Sequence, residues 1–198
     1  MAEGKQIVLP NGESYRYETL AVAPADKLEE VMQRGTPPAL ESLAGWEFKG
    51  YNTPDYTRLL GIRKFKKGFF RPAGALEPLT CVEGYNVKIR QNHSLSLPWE
   101  DELRQGRTQR FGFYEVRPVD LGDTDNRYPN AVLIDYGRSP RNPKADPSRL
   151  LRDYLVQVYP DQADLLLGKA FLSAGFFRIC VGYFVLGRHN PAPQAEEL

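Results

Sequence analysis

The last third of the chain constrains the fold more than any other sequence feature. Three long apolar runs follow one another there, at residues 150–159, 165–172 and 176–186, separated only by short turn sequences at residues 160–162 and 173–175. Apolar runs of this length, joined by tight turns, predict neighbouring antiparallel strands with at least one well-buried face. Large side chains occupy both faces of these strands, and single charged residues interrupt them. A closed barrel with a lined interior would account for both observations.

The rest of the chain supplies enough strands to close such a barrel. Residues 45–51 alternate large apolar and polar side chains, as a first barrel strand does. Further strands are predicted over residues 62–71, 79–91, 110–121 and 130–136. With the three closing runs this makes eight or nine strands, near the number that closes a small antiparallel barrel able to hold one ligand. The sequence therefore predicts a mainly β fold of this architecture.

Short helices are predicted before the barrel and beside it. Apolar residues at helical spacing, with capping residues at both ends, predict a helix over residues 25–35. Shorter helices are expected over residues 36–43 and 53–61.

The chain is expected to have three parts. A Pro-Asn-Gly turn at residues 10–12 predicts a hairpin within an N-terminal extension, residues 1–24. A single barrel domain with its leading helices is expected over residues 25–189, followed by a disordered polar tail over residues 190–198.

Composition narrows the class of protein. The 198 residues suit one domain, and 26 basic against 25 acidic side chains give no electrostatic case for nucleic acid as a partner. Cys81 and Cys180 lie in strand-like runs, which favours two buried thiols in a reducing compartment. No secretory signal and no apolar stretch of about 18 residues are found, so we expect a cytoplasmic protein without a membrane span. The oligomeric state stays open.

Residues 43–50, Leu-Ala-Gly-Trp-Glu-Phe-Lys-Gly, follow the predicted short helices. With Gly45 and Trp46 adjacent, this segment resembles the entry to a lipocalin-type barrel, where a Gly and a Trp mark the first strand. Phe48 and Gly50 also resemble the second half of the motif of bacterial families of unknown function named for Gly-x-Trp-x-Gly. The resemblance implies a hydrophobic-ligand binder, in which Trp46 plugs one end of the barrel.

Motifs for metal, phosphate or serine-hydrolase chemistry are missing from the sequence. Only two histidines occur, His93 in a polar stretch and His189 after the last strand, and no Cys/His group has zinc spacing. No Gly-x-Ser-x-Gly, Gly-x-Gly-x-x-Gly or phosphate-binding loop is present. We expect no cofactor and no metal, with haem ligated by His189 at the barrel mouth as the alternative.

A basic, aromatic run over residues 62–71 has two interpretations. If its side chains alternate, Arg63, Phe65 and Lys67 share a face, where Arg63 or Lys67 would bind the carboxylate of an acidic apolar ligand. Alternatively, the run is a strand face in contact with solvent. It could also be an interaction surface, since basic residues between aromatic residues are typical of proteins that bind single-stranded nucleic acid.

Charged residues within the closing runs are candidates for the site. Arg152 is expected to pair with Asp135 or Asp153, either as structural support or as a ligand anchor. Lys169, among apolar neighbours, is either a desolvated base or amine nucleophile, or an outer-face lysine that reaches water.

The hypothesis that these patterns favour is binding of a small apolar or amphipathic molecule in the barrel. Arg63 and Arg152 are the candidate anchors for its polar end. The other candidate ligand-binding residues are aromatic: Trp46 as the plug, with Phe65, Tyr85, Phe113, Tyr114, Tyr154, Tyr183 and Phe184.

Two alternatives remain open. The first is an isomerase-like or cyclase-like enzyme on the same scaffold, which two buried ionisable groups facing one pocket would favour. The second is an interaction module that uses the basic aromatic strand near residues 63–70, which an exposed patch without a cavity would favour.

Overall fold

The computed structural model describes residues 14–92, 94–175 and 177–195. Eight of its strands form one closed antiparallel barrel. In chain order the strands are β1 (Trp46–Asn52), β2 (Lys64–Phe70), β3 (Val82–Lys88), β4 (Leu103–Arg104), β5 (Arg107–Thr108), β6 (Arg110–Pro118), β7 (Val132–Asp135), β8 (Leu151–Tyr159), β9 (Gln162–Ala174) and β10 (Phe177–Pro191). The helices are α1 (Tyr17–Ala21), α2 (Ala25–Arg34), α3 (Leu40–Leu43) and α4 (Tyr56–Leu59), with a 3-10 turn at Pro147–Leu150.

The barrel is an up-and-down meander. Each barrel strand pairs with the next one along the chain, and β10 pairs back with β1 to close the ring. The short β4–β5 hairpin stands apart, in the connection between β3 and β6. The predicted fold class, a mainly β antiparallel barrel with short helices, is confirmed, and the strand count is eight.

Two apolar clusters divide the residues along each strand. On β8, Leu155 belongs to the cluster inside the barrel, whereas Tyr154 and Val156 belong to a second cluster on the outer face. The outer cluster is covered by α1 and α2, which contribute Leu20 and Met32 among others. Burial on both sides explains why large side chains occupy both faces of the closing strands.

One end of the barrel is plugged. Leu40 and Leu43 of α3, together with Leu79, join the inner cluster at the end where β1 begins. Trp46 packs partly buried against the same cluster, and the guanidinium carbon of Arg188 lies 4.6 Å from the centroid of its ring.

Cross-strand glycines let aromatic rings lie against the inner wall. Gly50 pairs with Phe65, Gly84 with Tyr114, and Gly168 with Phe184. A Cβ atom on any of these three glycines would come closer than 3.0 Å to the ring of its partner. Each ring therefore occupies the space that a side chain at the glycine would fill.

The N-terminal and C-terminal predictions differ from the structure in places. The predicted turn at residues 10–12 lies outside the described residues. Residues 17–21 form α1 rather than an extended hairpin arm, because Tyr17, Leu20 and Ala21 are buried against the barrel. β10 continues through Pro191 because Asn190 and Pro191 still pair with β1.

The cysteines are less buried than predicted. Both are free thiols, with Cys81 half-buried and Cys180 exposed. Cys180 is exposed because it lies in the first part of β10, most of which projects into solvent at the open end of the barrel.

Candidate functional site

The unplugged end of the barrel opens into an interior cavity of about 540 Å³. Its mouth lies where β2 and β6 begin, and Ile62, Phe111 and Val181 are among the apolar residues there. Residues from seven of the eight barrel strands line the cavity, and most of the surface that they present is apolar. Representative wall residues are Phe65, Leu151, Ala170 and Phe184.

Four polar side chains meet inside this apolar wall, and we call Lys67, Asn86, Tyr136 and Asp153 the buried polar quartet. Lys67 Nζ donates to Asn86 Oδ1 at 3.1 Å and to the Tyr136 hydroxyl, and lies 3.4 Å from Asp153 Oδ2. The Tyr136 hydroxyl donates to Asp153 Oδ2 at 3.0 Å. All four residues line the cavity and are buried.

The barrel register brings the quartet together. Lys67 and Asn86 are cross-strand partners on β2 and β3. Tyr136 directly follows β7, and Asp153 lies on the neighbouring strand β8. Gly112, at φ +51°, belongs to an irregularity in the β3–β6 pairing, and its carbonyl accepts the Asn86 amide at 3.0 Å. Both ends of the Asn86 side chain are therefore fixed.

Aromatic rings surround the Lys67 amine. Its Nζ lies 4.6 Å from the ring centroid of Tyr114, 4.9 Å from Tyr136 and 5.3 Å from Phe184. Faces of aromatic rings attract cations, most strongly where water is excluded. These rings offset part of the cost of burying the ammonium.

Burial shifts the proton equilibria of the quartet. It lowers the pKa of Lys67, although Asp153 opposes that shift. Burial likewise raises the pKa of Asp153, against the opposing effect of Lys67. The pKa of the Tyr136 hydroxyl is raised well above its usual value by burial and by Asp153. The two shifts bring Lys67 and Asp153 closer in proton affinity, as in an acid–base pair.

One quartet oxygen has no partner in the described part of the chain. Asp153 Oδ2 interacts with Lys67 and Tyr136, but Oδ1 is buried without a hydrogen bond. A buried acceptor left unpaired costs about 1–3 kcal/mol. A hydrogen-bond donor placed against this atom would remove that cost.

The predicted aromatic residues divide between the two faces. Phe65 and Phe184 line the cavity, and Tyr114 lies in the inner cluster below it. Trp46 lies at the plugged end. The remaining four belong to or pack against the outer cluster: Tyr85, Phe113, Tyr154 and Tyr183. Alternation alone could not separate the two groups, because both faces of these strands carry large buried side chains.

The two predicted anchors lie outside the cavity wall. Arg63 donates to the Pro54 carbonyl at 2.7 Å and pairs with Asp55. Arg152 pairs with Asp135 at 3.0 Å, one of the two partners predicted for it. Of the basic residues on the predicted Arg63 face, Lys67 alone reaches the interior quartet.

Lys169 and His189 also lie away from the cavity. Lys169 Nζ pairs with Glu29 of α2 at 2.7 Å and donates to the Tyr128 hydroxyl, so it joins the helix to the outer face. His189 is exposed on β10 and does not line the cavity. Within the described ranges, no group of three or more His, Cys, Asp or Glu residues could hold a metal ion.

The basic aromatic strand β2 has buried lysines. Lys64 donates to Asn92 and to three backbone carbonyls, and Lys66 pairs with Glu47 and Asp101. Lys67 belongs to the quartet. Carboxylates pair with Lys66 and Lys67, neutral oxygens hold Lys64, and all three lysines are buried, so the strand does not present the exposed basic patch that would favour an interaction module.

Sequence reasoning did not identify the quartet as a group. Asn86 and Tyr136 lie within the predicted strands 79–91 and 130–136 without a further role, and Asp153 is predicted only as a possible partner of Arg152. Asp153 within an apolar run is the signal that could have drawn attention, because a carboxylate in a two-sided buried strand needs a partner. The partner, Lys67, lies on a strand distant in the sequence.

Comparisons of the chain with protein families, with curated proteins and with solved structures find no match. No helix in the described ranges combines the length and apolar character needed to cross a membrane. The closed eight-stranded antiparallel barrel is compatible with a lipocalin-like fold, and functional inference rests on the cavity and its quartet.

Proposed function

We propose that this protein is a lipocalin-like barrel that binds a small apolar or amphipathic molecule in its interior, with the polar end of the molecule toward the buried polar quartet. The observation that carries the proposal is an apolar cavity of about 540 Å³ with Lys67 and Asp153 buried in its wall. Small-molecule sites are typically concave, mostly apolar and roughly 300–1,000 Å³, with a few convergent polar groups.

The rim of the barrel mouth supports the proposal. Three large apolar side chains that line the mouth are exposed: Ile62 at 47%, Phe111 at 49% and Val181 at 37%. Exposed apolar side chains grouped around a cavity mouth are typical of a binding surface. They provide a path along which an apolar molecule enters without leaving apolar surroundings.

Binding of Nile red, an uncharged apolar dye, tests the proposal. The wild-type protein is expected to enhance the fluorescence of the dye at one saturable site. Ala170 lines the cavity, so Ala170→Trp fills the space and should weaken dye binding at least about tenfold. Ala145→Trp, in an exposed loop, is the control and should bind as the wild type does. Equal binding by a folded Ala170→Trp variant would contradict the proposal.

A second candidate function is acid–base catalysis on an apolar substrate, in the manner of an isomerase or cyclase. Two buried ionisable groups, Lys67 and Asp153, line one pocket, and burial shifts their pKa values in opposite directions. Such a pair can remove a proton from carbon next to a carbonyl and return it elsewhere.

Deuterium exchange into 2-decanone tests this second function. In D₂O the wild type should incorporate deuterium beside the carbonyl faster than buffer alone, as measured by mass spectrometry. The double variant Lys67→Met/Asp153→Leu should lose the enhancement, whereas Lys169→Met, at an outer-face lysine, should keep it. Exchange no faster than in buffer would leave binding as the proposed function.

A further inference from the structure

The polar quartet restricts which molecules the cavity accepts, and this inference rests on the proposed function. The Lys67 amine has three oxygen neighbours, on Asn86, Tyr136 and Asp153, which is as many as an ammonium has hydrogens. A ligand carboxylate arriving at this depth would therefore find no free donor on Lys67.

The net charge of the quartet also disfavours a charged ligand. Lys67 and Asp153 together carry no net charge, whichever of them holds the shared proton. An anionic ligand would add one uncompensated negative charge to an apolar cavity, and a cationic ligand one positive charge beside Lys67. Both arrangements are costly in surroundings of low polarity.

The cations near the mouth differ in how far they are paired. Lys88 pairs with Glu102 at 2.9 Å, and the guanidinium carbon of Arg110 lies 5.2 Å from the ring centroid of Tyr85, a residue of the outer cluster. Lys64 is held by Asn92 and the backbone of the loop that follows. Arg110 also lines the cavity, and its Nε is buried without a hydrogen-bond partner among the described residues, so it is the cation that a ligand carboxylate would meet near the mouth.

The quartet has one hydrogen-bond acceptor that is not used, an oxygen of Asp153. Oδ1 of Asp153 is buried without a partner among the described residues, and Asp153 lines the cavity. We infer that the cavity selects neutral apolar molecules that carry a hydroxyl or another uncharged hydrogen-bond donor, and that this donor binds Asp153 Oδ1. Long-chain or alicyclic alcohols belong to this class, and fatty acids do not.

A matched ligand series tests the inference in the wild-type protein. 1-Decanol, decyl methyl ether, decanoate and decylamine share one chain and differ at the head group, and each is titrated against bound Nile red. 1-Decanol should displace the dye at a concentration at least about tenfold lower than the ether, because of the two only the alcohol has a hydroxyl that donates a hydrogen bond to Asp153 Oδ1. Decanoate and decylamine should be weaker than 1-decanol.

Two variants assign the preference to the quartet. Lys67→Met/Asp153→Leu keeps an apolar cavity without the free oxygen, and should bind Nile red while losing the preference for 1-decanol over the ether. Glu47→Gln changes a buried carboxylate outside the cavity wall and should keep the preference.

The outcomes separate this inference from the proposed function. Nile red binding with equal displacement by 1-decanol and the ether would overturn the inference and leave the binding function standing. Tightest binding by decanoate would overturn it as well, and loss of that binding in Arg110→Met would place the acid at the mouth. Absence of any saturable dye binding would overturn the proposed function itself.

Discussion

The side chains of Lys67 and Asp153 form an ion pair that is almost fully removed from solvent, with side-chain exposures of 2% and 4%. The Tyr136 hydroxyl and the Asn86 amide complete the hydrogen bonding of the amine, and three further rings lie within 6 Å of it. Removing one member leaves an unpaired charge in the interior, whereas removing both leaves apolar side chains in an apolar wall. The single and the double substitution should therefore change the free energy of unfolding by different amounts.

A double-mutant cycle measures this difference. Lys67→Met should lower the free energy of unfolding by about 3–5 kcal/mol, because it leaves the Asp153 carboxylate buried without a cation. The double variant Lys67→Met/Asp153→Leu should recover most of that loss. Urea unfolding followed by circular dichroism provides the measurement. A double variant less stable than Lys67→Met would show that the pair stabilises the fold beyond satisfying its own charges.

At the scale of the strands, glycine–aromatic pairs shape the cavity wall. The interior pairs Gly50–Phe65, Gly84–Tyr114 and Gly168–Phe184 place three rings around the Lys67 amine. Because a side chain at the glycine would displace the ring, the register of these pairs and the position of the quartet depend on one another.

Adding a methyl group at Gly84 should be among the most damaging small changes in the barrel. A Cβ there would overlap both the Tyr114 ring and the backbone oxygen of Gly68, and a backbone atom cannot move aside as a side chain can. We expect Gly84→Ala to lower the free energy of unfolding by about 1–3 kcal/mol or more.

Two other glycines serve as comparisons for Gly84→Ala. The three atoms nearest to a Cβ at Gly168 all belong to the Phe184 ring, so Gly168→Ala should cost less, while Gly122→Ala, in an exposed turn, should cost little. Thermal unfolding of the three variants measures the order of their stabilities. An equal loss at Gly84 and Gly122 would contradict the steric explanation.

At the scale of the whole molecule, the barrel has two buried faces and a helical cover. α2 rests on β8 and β9, where Leu28, Val31 and Met32 join the outer cluster. Glu29 adds a polar attachment, since it accepts hydrogen bonds from Lys169 and from the hydroxyl of Tyr183. This cover accounts for the burial of aromatic side chains that point away from the cavity.

The attachment of α2 should make stability depend on pH in the acid range. Burial raises the pKa of Glu29, but hydrogen bonds from Lys169 and two tyrosines outweigh it and lower the pKa from 4.5 to about 2. Because the folded state holds the carboxylate more strongly, its contribution is complete above about pH 4.5 and is lost as the pH falls toward 2.

Unfolding by urea at a series of pH values tests the role of Glu29. The stability difference between the wild type and Glu29→Gln should be largest at pH 7 and should shrink between pH 4.5 and 2. Glu30→Gln is the control, because among the described residues Glu30 pairs with Lys27 and Arg34 of its own helix and not with the barrel. A pH-independent difference at Glu29 would contradict the attachment.

The sequence by itself determined the class and order of the elements. Residue periodicity is a local property of the chain. Apolar runs and turn residues were therefore sufficient to predict the antiparallel strands, a count of eight or nine, and the helix over residues 25–35. The short turns that join β8, β9 and β10 made antiparallel pairing of neighbours the natural arrangement there, and the structure extends this pairing around the whole barrel.

Only the tertiary structure decided which face of each strand is the interior. Both faces carry buried apolar side chains, one toward the opposite wall of the barrel and one beneath the helices and loops outside it, so hydrophobicity cannot tell them apart. For that reason Tyr85, Tyr154 and Arg152 were predicted at the ligand site but lie on the outer face. Local sequence patterns could not predict the quartet either. Lys67 and Asp153 come from β2 and β8, and they meet only when the sheet closes on itself.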